Sequence, residues 1–593
     1  MKRFLCLGAV LFLCVLCEGC GQVFRPIIIP NPPQFPNPAA AHTVVTLSND
    51  GITTEGTVVA PAVLPAEAPL PGSAMVIDVA GDSVVSIKPI GLNPVHAVLQ
   101  SANDALVVNQ AVTFPSPLPP ANGCIVTLTA TFNGQPITYD FNVCPTLSML
   151  QFGGTAINNV TTLTLPAFSA ANFVATTEAS QAYVSLPGLL LDPVNHPLDG
   201  SVAVVNTTNN SITTEVMVGN NPVAMAETPD GTKLYVANEG DGTLSAFNTK
   251  PSISTRTVCD PTGKICPPPL SSAPVWISAR SDSQQVFVLE SNGTLAYLVT
   301  SLTGSDTFTE TGITVPPAAP ATSANMWYDT ILNRLYIPGG SQLVIVDVSQ
   351  SVPTVMATID IPSFAILPTG TTVPAAALAV TSLPDGSRAY VGSLAVLPSD
   401  FTVSAVSGDG TTATYAYTLT AGHDVTPGVT VSVTGTGPDF DGTFLVTEIV
   451  SGTSACPVTC FQAPNTTSGS GTAGTGTGSN IFPQVTVVDT TSNTIKAGSI
   501  GIPGFPDATN PNYAFGVYYV PACASTRFRF TMAAAGDSSR AYLGSCDGGN
   551  VNIVYTSTDT YAENASAPGS SRQPISPSNQ NPPQNPAFIF AGP

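Results

Sequence analysis

Histidine and cysteine are the side chains best suited to bind a metal or pass a proton, and their spacing in this chain of 593 residues argues against both uses. The four histidines, His42, His96, His196 and His423, are too scattered for a zinc-ligand pattern. Both Cys-x-x-Cys spacings, Cys14 to Cys17 and Cys17 to Cys20, fall in an apolar leader, and no Cys-x-x-Cys-His occurs. The eight later cysteines form four sequence-local couples: Cys124 with Cys144, Cys259 with Cys266, Cys456 with Cys460, and Cys523 with Cys546. Sequence does not fix connectivity, but each couple lies within one hairpin or loop, so four disulfides are the expectation. The rival use, a metal held by Cys or His, has no spacing to support it.

Carboxylates give no catalytic constellation either. His96 and Glu227 are single occurrences in apolar strand-like segments, where a lone histidine more often makes a structural hydrogen bond than acts as a base. Asp282 and Asp329 stand at turns, where a side chain that accepts from its own backbone explains them. Asp78, Asn206, Asp347 and Asp489 recur at one place, before a Thr/Ser/Asn turn, which is the mark of a turn cap. Asn238, Glu239 and Asp241, with Gly240 and Gly242, could ligate calcium, but the full alternating ligand set is missing. No Gly-x-Ser-x-Gly elbow with a following helix is found. The expectation is therefore no catalytic, cofactor-binding or metal-binding residue.

The elements that would position these residues are strands. Asn221 to Asn238, NPVAMAETPDGTKLYVAN, reads as a β-hairpin: alternating residues, the turn Pro229-Asp230-Gly231, then the β-rich Leu234-Tyr235-Val236. Degraded copies begin at Asn93, Ala171, Ala273, Ala321, Ala375 and Phe528. Leu106, Tyr183, Tyr235, Phe287, Tyr336, Tyr390 and Tyr542 fill one position, at intervals of 77, 52, 52, 49, 54 and 152 residues. A second strand-turn-strand unit lies between hairpins, from Ser73, Ser201, Gln342 and Gln484, with a partial copy at Asn550. Two hairpins per repeat predict a four-stranded antiparallel sheet, and a period near 50 residues predicts a propeller whose blades bury their faces on one another.

Asn-Pro, Pro-Asp-Gly, Tyr-Val-Ala-Asn and Val-Val-Asp-Thr-Thr-Ser-Asn-Thr resemble the YVTN family of β-propeller repeats, well at residues 201–249 and less closely at 73–110, 342–393 and 484–555. The resemblance implies a ring of seven blades, frequent on exported bacterial proteins, with no single shared activity. The seven hairpins agree with that number, and ring closure is expected from segments near 42–90 and 528–560. Lactonase-kind propeller hydrolases resemble the same repeat more remotely.

Composition and the chain ends bear on location. Only 9% of residues are charged, Gly and Pro number 50 and 56, and the formal charge is −21, a turn-rich all-β composition that repels nucleic acid. Lys2, Arg3 and the apolar run to Cys17 read as an export signal. Leu16-Cys17-Glu18-Gly19-Cys20-Gly21 resembles a bacterial lipoprotein signal, which implies lipid on Cys20 and, with Gly21 rather than Asp following, the outer membrane. Ordinary cleavage and release is the alternative. The expected organisation is a signal peptide at 1–20, a Pro-rich tether at 21–41, a propeller at 42–399 and 483–564, an inserted β-module at 400–482 and a Pro/Asn-rich tail at 565–593. Ser468 to Ser479 is expected to return the chain as a flexible Gly/Ser/Thr run, and Ala587 to Phe590 to dock on the ring as a short strand. With inner strands nearly bare of ionisable groups, the functional expectation is a monomeric, lipid-anchored envelope protein binding a protein or glycan. A lactonase-kind hydrolase is the alternative.

Overall fold

The computed structural model describes residues 42–49, 72–110, 125–132, 135–142, 144–166, 171–187, 200–318, 325–366, 371–422, 424–425, 429–452, 456, 458–502, 530–546, 550–561 and 585–592. All its regular elements are strands. The expected propeller is the architecture: seven small sheets, most of four strands and antiparallel except where Val258–Cys259 pairs parallel with Asp306–Thr314, stand in a ring with one large sheet. Each has an inner strand, and the inner strands follow one another as Pro94–Leu99, Phe173–Glu178, Pro222–Glu227, Pro274–Ala279, Trp327–Asp329, Ala375–Ser382, Phe530–Ala534 and Asn585–Ala591.

The burial pattern follows from this arrangement. A middle strand has a neighbouring sheet on both faces, so Lys233–Asn238 and Gln285–Glu290 are buried at every position. An outer strand meets solvent, and Ser211–Met217 and Thr354–Asp360 are mostly half-buried or exposed and rich in Thr. The recurring Tyr183, Tyr235, Tyr336, Tyr390 and Tyr542 are among the largest fully buried side chains, packed between sheets rather than beside the axis. Turn chemistry repeats with them. Gly231 and Gly386 have φ of 62° and 69°, and Ser283 and Ser538 adopt the same left-handed conformation at the matching turns. Those turns also tie neighbours together: Asp230 N donates to Ser283 Oγ and Asp385 N to Ser538 Oγ, each at 3.0 Å.

Closure differs in detail from the expectation. The seven repeated hairpins each open one sheet of the ring, and the chain ends build a further one. Asn585–Ala591 pairs antiparallel with Thr43–Asn49, which pairs with Ser73–Asp78 and then Ser83–Pro89. The segment at 530–561 forms its own sheet of Phe530–Ala534, Arg540–Ser545 and Asn550–Tyr555. The tail strand is therefore the innermost strand of the closing sheet: it stands at the end of the pairing order, and its Phe588, Ile589 and Phe590 face the middle of the ring.

The large sheet explains the 152-residue interval. Its strands Arg388–Asp409 and Gly474–Asp489 are unusually long and pair without interruption from Arg388↔Asp489 to Val403↔Gly474, leaving the ring as a ribbon. Thr412–Gly422, Thr430–Thr434, Gly442–Leu445, Glu448–Ser451 and Thr459–Pro464 extend it, around a separate core that includes Phe401, Tyr415, Tyr417, Phe440 and Phe461. The Gly/Ser/Thr run is not a flexible return: Ser468–Gly471 and the start of Gly474–Asp489 are paired strand. Glycine is required there by packing, since a Cβ on Gly476 would lie 2.3 Å from the Phe401 ring, and one on Gly471 2.6 Å from Val406.

Candidate functional site

The axis of the ring holds a cavity of about 460 Å³. It is touched by residues of the inner strands Pro94–Leu99, Pro274–Ala279, Trp327–Asp329, Ala375–Ser382, Phe530–Ala534 and Asn585–Ala591, several of which are not neighbours around the ring, so it must lie at the centre. Its walls are aromatic and aliphatic, chiefly Trp276, Trp327, Phe530, Met532, Phe588 and Phe590, and none of the described lining residues is ionisable. Two polar groups at the rim are already engaged. Trp327 Nε1 donates to Ser382 Oγ at 2.8 Å, and Asn325 Nδ2 donates to the Leu378 carbonyl at 2.6 Å.

His96 stands behind this wall and does not line it. Its ring stacks on Phe173 with centroids 3.7 Å apart and leans on Phe588 at 4.9 Å, while Val174 N donates to Nδ1 at 3.4 Å. Phe173 in turn meets Trp276 edge-on at 5.8 Å. The histidine is a packed structural residue joining three inner strands. Of the other histidines, His42 is exposed, and His196 and His423 lie outside the described residues.

Glu227 ends its inner strand between two sheets, away from the cavity lining. It is 6% exposed and accepts from both the backbone N and Oγ1 of Thr177, each at 2.7 Å. Burial pushes its carboxyl up to about 7, against the opposing pull of those two hydrogen bonds; the neighbouring Glu178 adds to the rise, and Lys250, paired with Glu178, reduces it. The group bridges two blades, and its neighbours Thr177, Glu178 and Lys250 lie with it at that seam and not among the residues that line the cavity.

The turn residues act locally. Asp78, Asn206, Asp347 and Asp489 each accept from a backbone N two residues on, at 3.3, 3.0, 2.8 and 2.9 Å. Asp329 Oδ1 accepts from Ile331 N and Leu332 N, and Asp282 pairs with Arg280. In the loop weighed for calcium, Asp241 accepts from Asn220 N, Thr243 N and Thr243 Oγ1, Glu239 from Asn221 Nδ2, and Asn238 donates to Thr243 and Ser245. Those carboxylates are committed to holding the loop.

Three other acids, given no role by the sequence, are each held by a tyrosine hydroxyl and a cationic side chain. Asp306 takes the Tyr235 hydroxyl at 2.8 Å and Arg256 at 2.6 and 2.9 Å. Asp559 takes Tyr390 at 2.7 Å, Arg388 at 2.8 Å and Lys496 at 3.1 Å. Asp82 takes Tyr542 at 2.8 Å, Tyr555 at 3.0 Å and Arg540 at 2.8 Å. In each case the recurring tyrosine reaches an acid on the next sheet, so these are latches between blades. The tyrosines recur in the sequence; their acids stand in unlike places, Asp306 at the start of a strand, Asp82 in the turn between two strands and Asp559 after the last strand of its sheet, so no fixed spacing reveals them. Trp276 and Trp327 also stand in the inner-strand segments, but uncharged side chains carry no mark of chemistry in the sequence.

Disulfides join Cys259 to Cys266 and Cys456 to Cys460. Cys144 and Cys546 are also disulfide-bonded. Their expected partners Cys124 and Cys523 lie outside the described residues, as does Cys20.

No family model matches this chain, and no curated protein matches it in sequence. Solved structures similar to it include the Kuenenia stuttgartiensis hydrazine synthase, at 13% identity over 64% of this chain and 75% of that one, with a TM-score of 0.35. The Pseudomonas aeruginosa periplasmic gluconolactonase is similar at 12% identity over 59% and 92%, TM-score 0.35. A putative 6-phosphogluconolactonase from Bacteroides uniformis is similar at 12% identity over 59% and 89%, TM-score 0.35. These proteins carry different names and activities, and the propeller assignment here stands on the chain's own strand pairing.

Proposed function

We propose that this propeller is a non-enzymatic binding scaffold, exported and held at the cell envelope by lipid on Cys20, with the Pro-rich stretch 21–41 as its tether. The YVTN-like repeat suits that reading, since it brings a frame without a shared chemistry. The observation that carries it is the axial cavity, whose described lining offers no acid, base or charged electrophile. Propeller hydrolysis needs such groups converging on one point, because a water or leaving group must exchange a proton in the transition state. Among the described buried acids, Asp329 caps a turn, Asp82, Asp306 and Asp559 form latches, and Glu227 and Glu290 are held by Thr177 and by Ser271 and Ser272, away from the cavity lining. A protein or glycan partner would meet the ring faces or the projecting module, and the ring acts as a monomer.

The test has two arms. Purified protein, with and without added Ca²⁺, Mg²⁺ or Zn²⁺, should hydrolyse aldonolactones and acyl-homoserine lactones no faster than buffer; catalysed, saturable turnover would overturn the scaffold reading. In cells fed labelled fatty acid, the wild type should take up label and Cys20→Ser should not. An unlabelled wild type would overturn the anchor.

A further inference from the structure

We infer that the axial cavity is a binding site for an uncharged, predominantly hydrocarbon small molecule. The inference deepens the scaffold reading and rests on it, since it takes the channel to hold a ligand and not to transform one. Size comes first: about 460 Å³ lies within the range of roughly 300 to 1,000 Å³ that small-molecule sites occupy. A void of this size lined by Trp276, Trp327, Phe530 and Phe588 is not a packing defect, because interiors tolerate few gaps larger than a water molecule. It is also reachable, as Trp327 keeps 38% of its surface exposed.

Charge then selects the ligand. No described lining residue could pair with an anion or a cation, and the formal charge of −21 raises the cost of bringing an anion near. The rim donors on Trp327 and Asn325 are spent on Ser382 and Leu378, which leaves chiefly the buried Thr381 and Thr531 hydroxyls, both without a partner, to meet a ligand; a heavily hydroxylated one would lose more hydrogen bonds to water than these could return. An apolar molecule loses nothing and gains burial against aromatic faces. The walls are also braced: Phe173 and His96 pack behind Trp276 and Phe588, which keeps the site formed without ligand.

The chain supplies its own reporter, because it has two tryptophans and both line the cavity. Full-length mature protein is titrated with N-phenyl-1-naphthylamine, an uncharged probe that accepts energy from tryptophan. Saturable one-to-one binding with energy transfer is expected. The sulfonated analogue 1-anilinonaphthalene-8-sulfonate, nearly the same skeleton with a charge, should bind at least about tenfold more weakly. Leu99→Glu puts a charge into the lining and Ala591→Phe fills space; each should weaken the neutral probe by about tenfold or more. Thermal melts show which variants are folded, and Ala591→Phe carries the test if Leu99→Glu is not. Absence of transfer in folded wild type, equal affinity for the sulfonate, or a folded Ala591→Phe that binds like wild type overturns the inference. If the probe fails and lactones remain intact, this inference falls alone; if lactones are turned over, the scaffold reading falls with it.

Discussion

Glu227 shows how a residue that looks catalytic on paper can be a structural one. Its carboxyl is raised from 4.5 to about 7 because burial penalises the charged form, and Thr177 on the adjacent blade supplies both hydrogen bonds. An acid that holds its proton more tightly folded than unfolded contributes stability that is fully present below about pH 4.5 and is lost as pH rises through about 7. Wild-type stability should therefore fall between pH 5 and 8 by about 1 to 3 kcal/mol from this group alone. Glu227→Gln keeps an acceptor for Thr177 without the charge. Urea unfolding at pH 5, 6.5 and 8 should show the variant gaining on wild type as pH rises; a constant difference would contradict the assignment.

At the scale of elements, the ribbon of Arg388–Asp409 and Gly474–Asp489 serves two cores. Its ring end packs with Leu378, Phe530 and Met532 in one cluster, and its far end carries the module around Phe401 and Phe461. Because the two clusters have no residue in common, damage to one should spare the other. Gly476→Val places a side chain where the Phe401 ring already lies, and no rotamer of valine avoids a Cβ at 2.3 Å. Overpacking of this kind costs about 1 to 3 kcal/mol or more. The expected result is protease cleavage confined to about residues 400–480, with the ring fragments resistant. Loss of protection throughout the ring would show that module and blade unfold as one.

For the whole molecule, the closing sheet matters most. It joins Asn585–Ala591 to Thr43–Asn49, and Asp82 on its outer turn receives Arg540, Tyr542 and Tyr555 from the preceding sheet. Removing residues 585–593 would strip Thr43–Asn49 of its inner partner and expose an apolar strand edge, the feature sheets must hide to stay monomeric. The truncated protein should form oligomers or aggregates by light scattering and melt at lower temperature. A monomer with unchanged melting would mean that the ring does not depend on this strand. Asp82 is 8% exposed, so its latch adds a buried ion pair to the same seam.

Much of this was legible in the chain because it repeats. Periodic hairpins, Pro-Asp-Gly turns and the buried tyrosines are local signals, set by backbone conformation and alternation, and they specify a propeller of four-stranded blades without any knowledge of contacts. The turn roles of Asp78, Asn206, Asp347 and Asp489 were legible for the same reason, since donor and acceptor are two residues apart. What depended on distance was not. The tail strand's place in the closing sheet, the latch acids Asp82, Asp306 and Asp559, and the strand character of the Gly/Ser run all arise from partners far away in sequence. The cavity belongs to that second group: it is made by six inner strands drawn from residues 94 to 591, and its apolar character becomes visible only when Trp276, Trp327, Phe530 and Phe588 are brought to one axis. Sequence determines which segments become inner strands, while ring closure alone decides which side chains share the space between them.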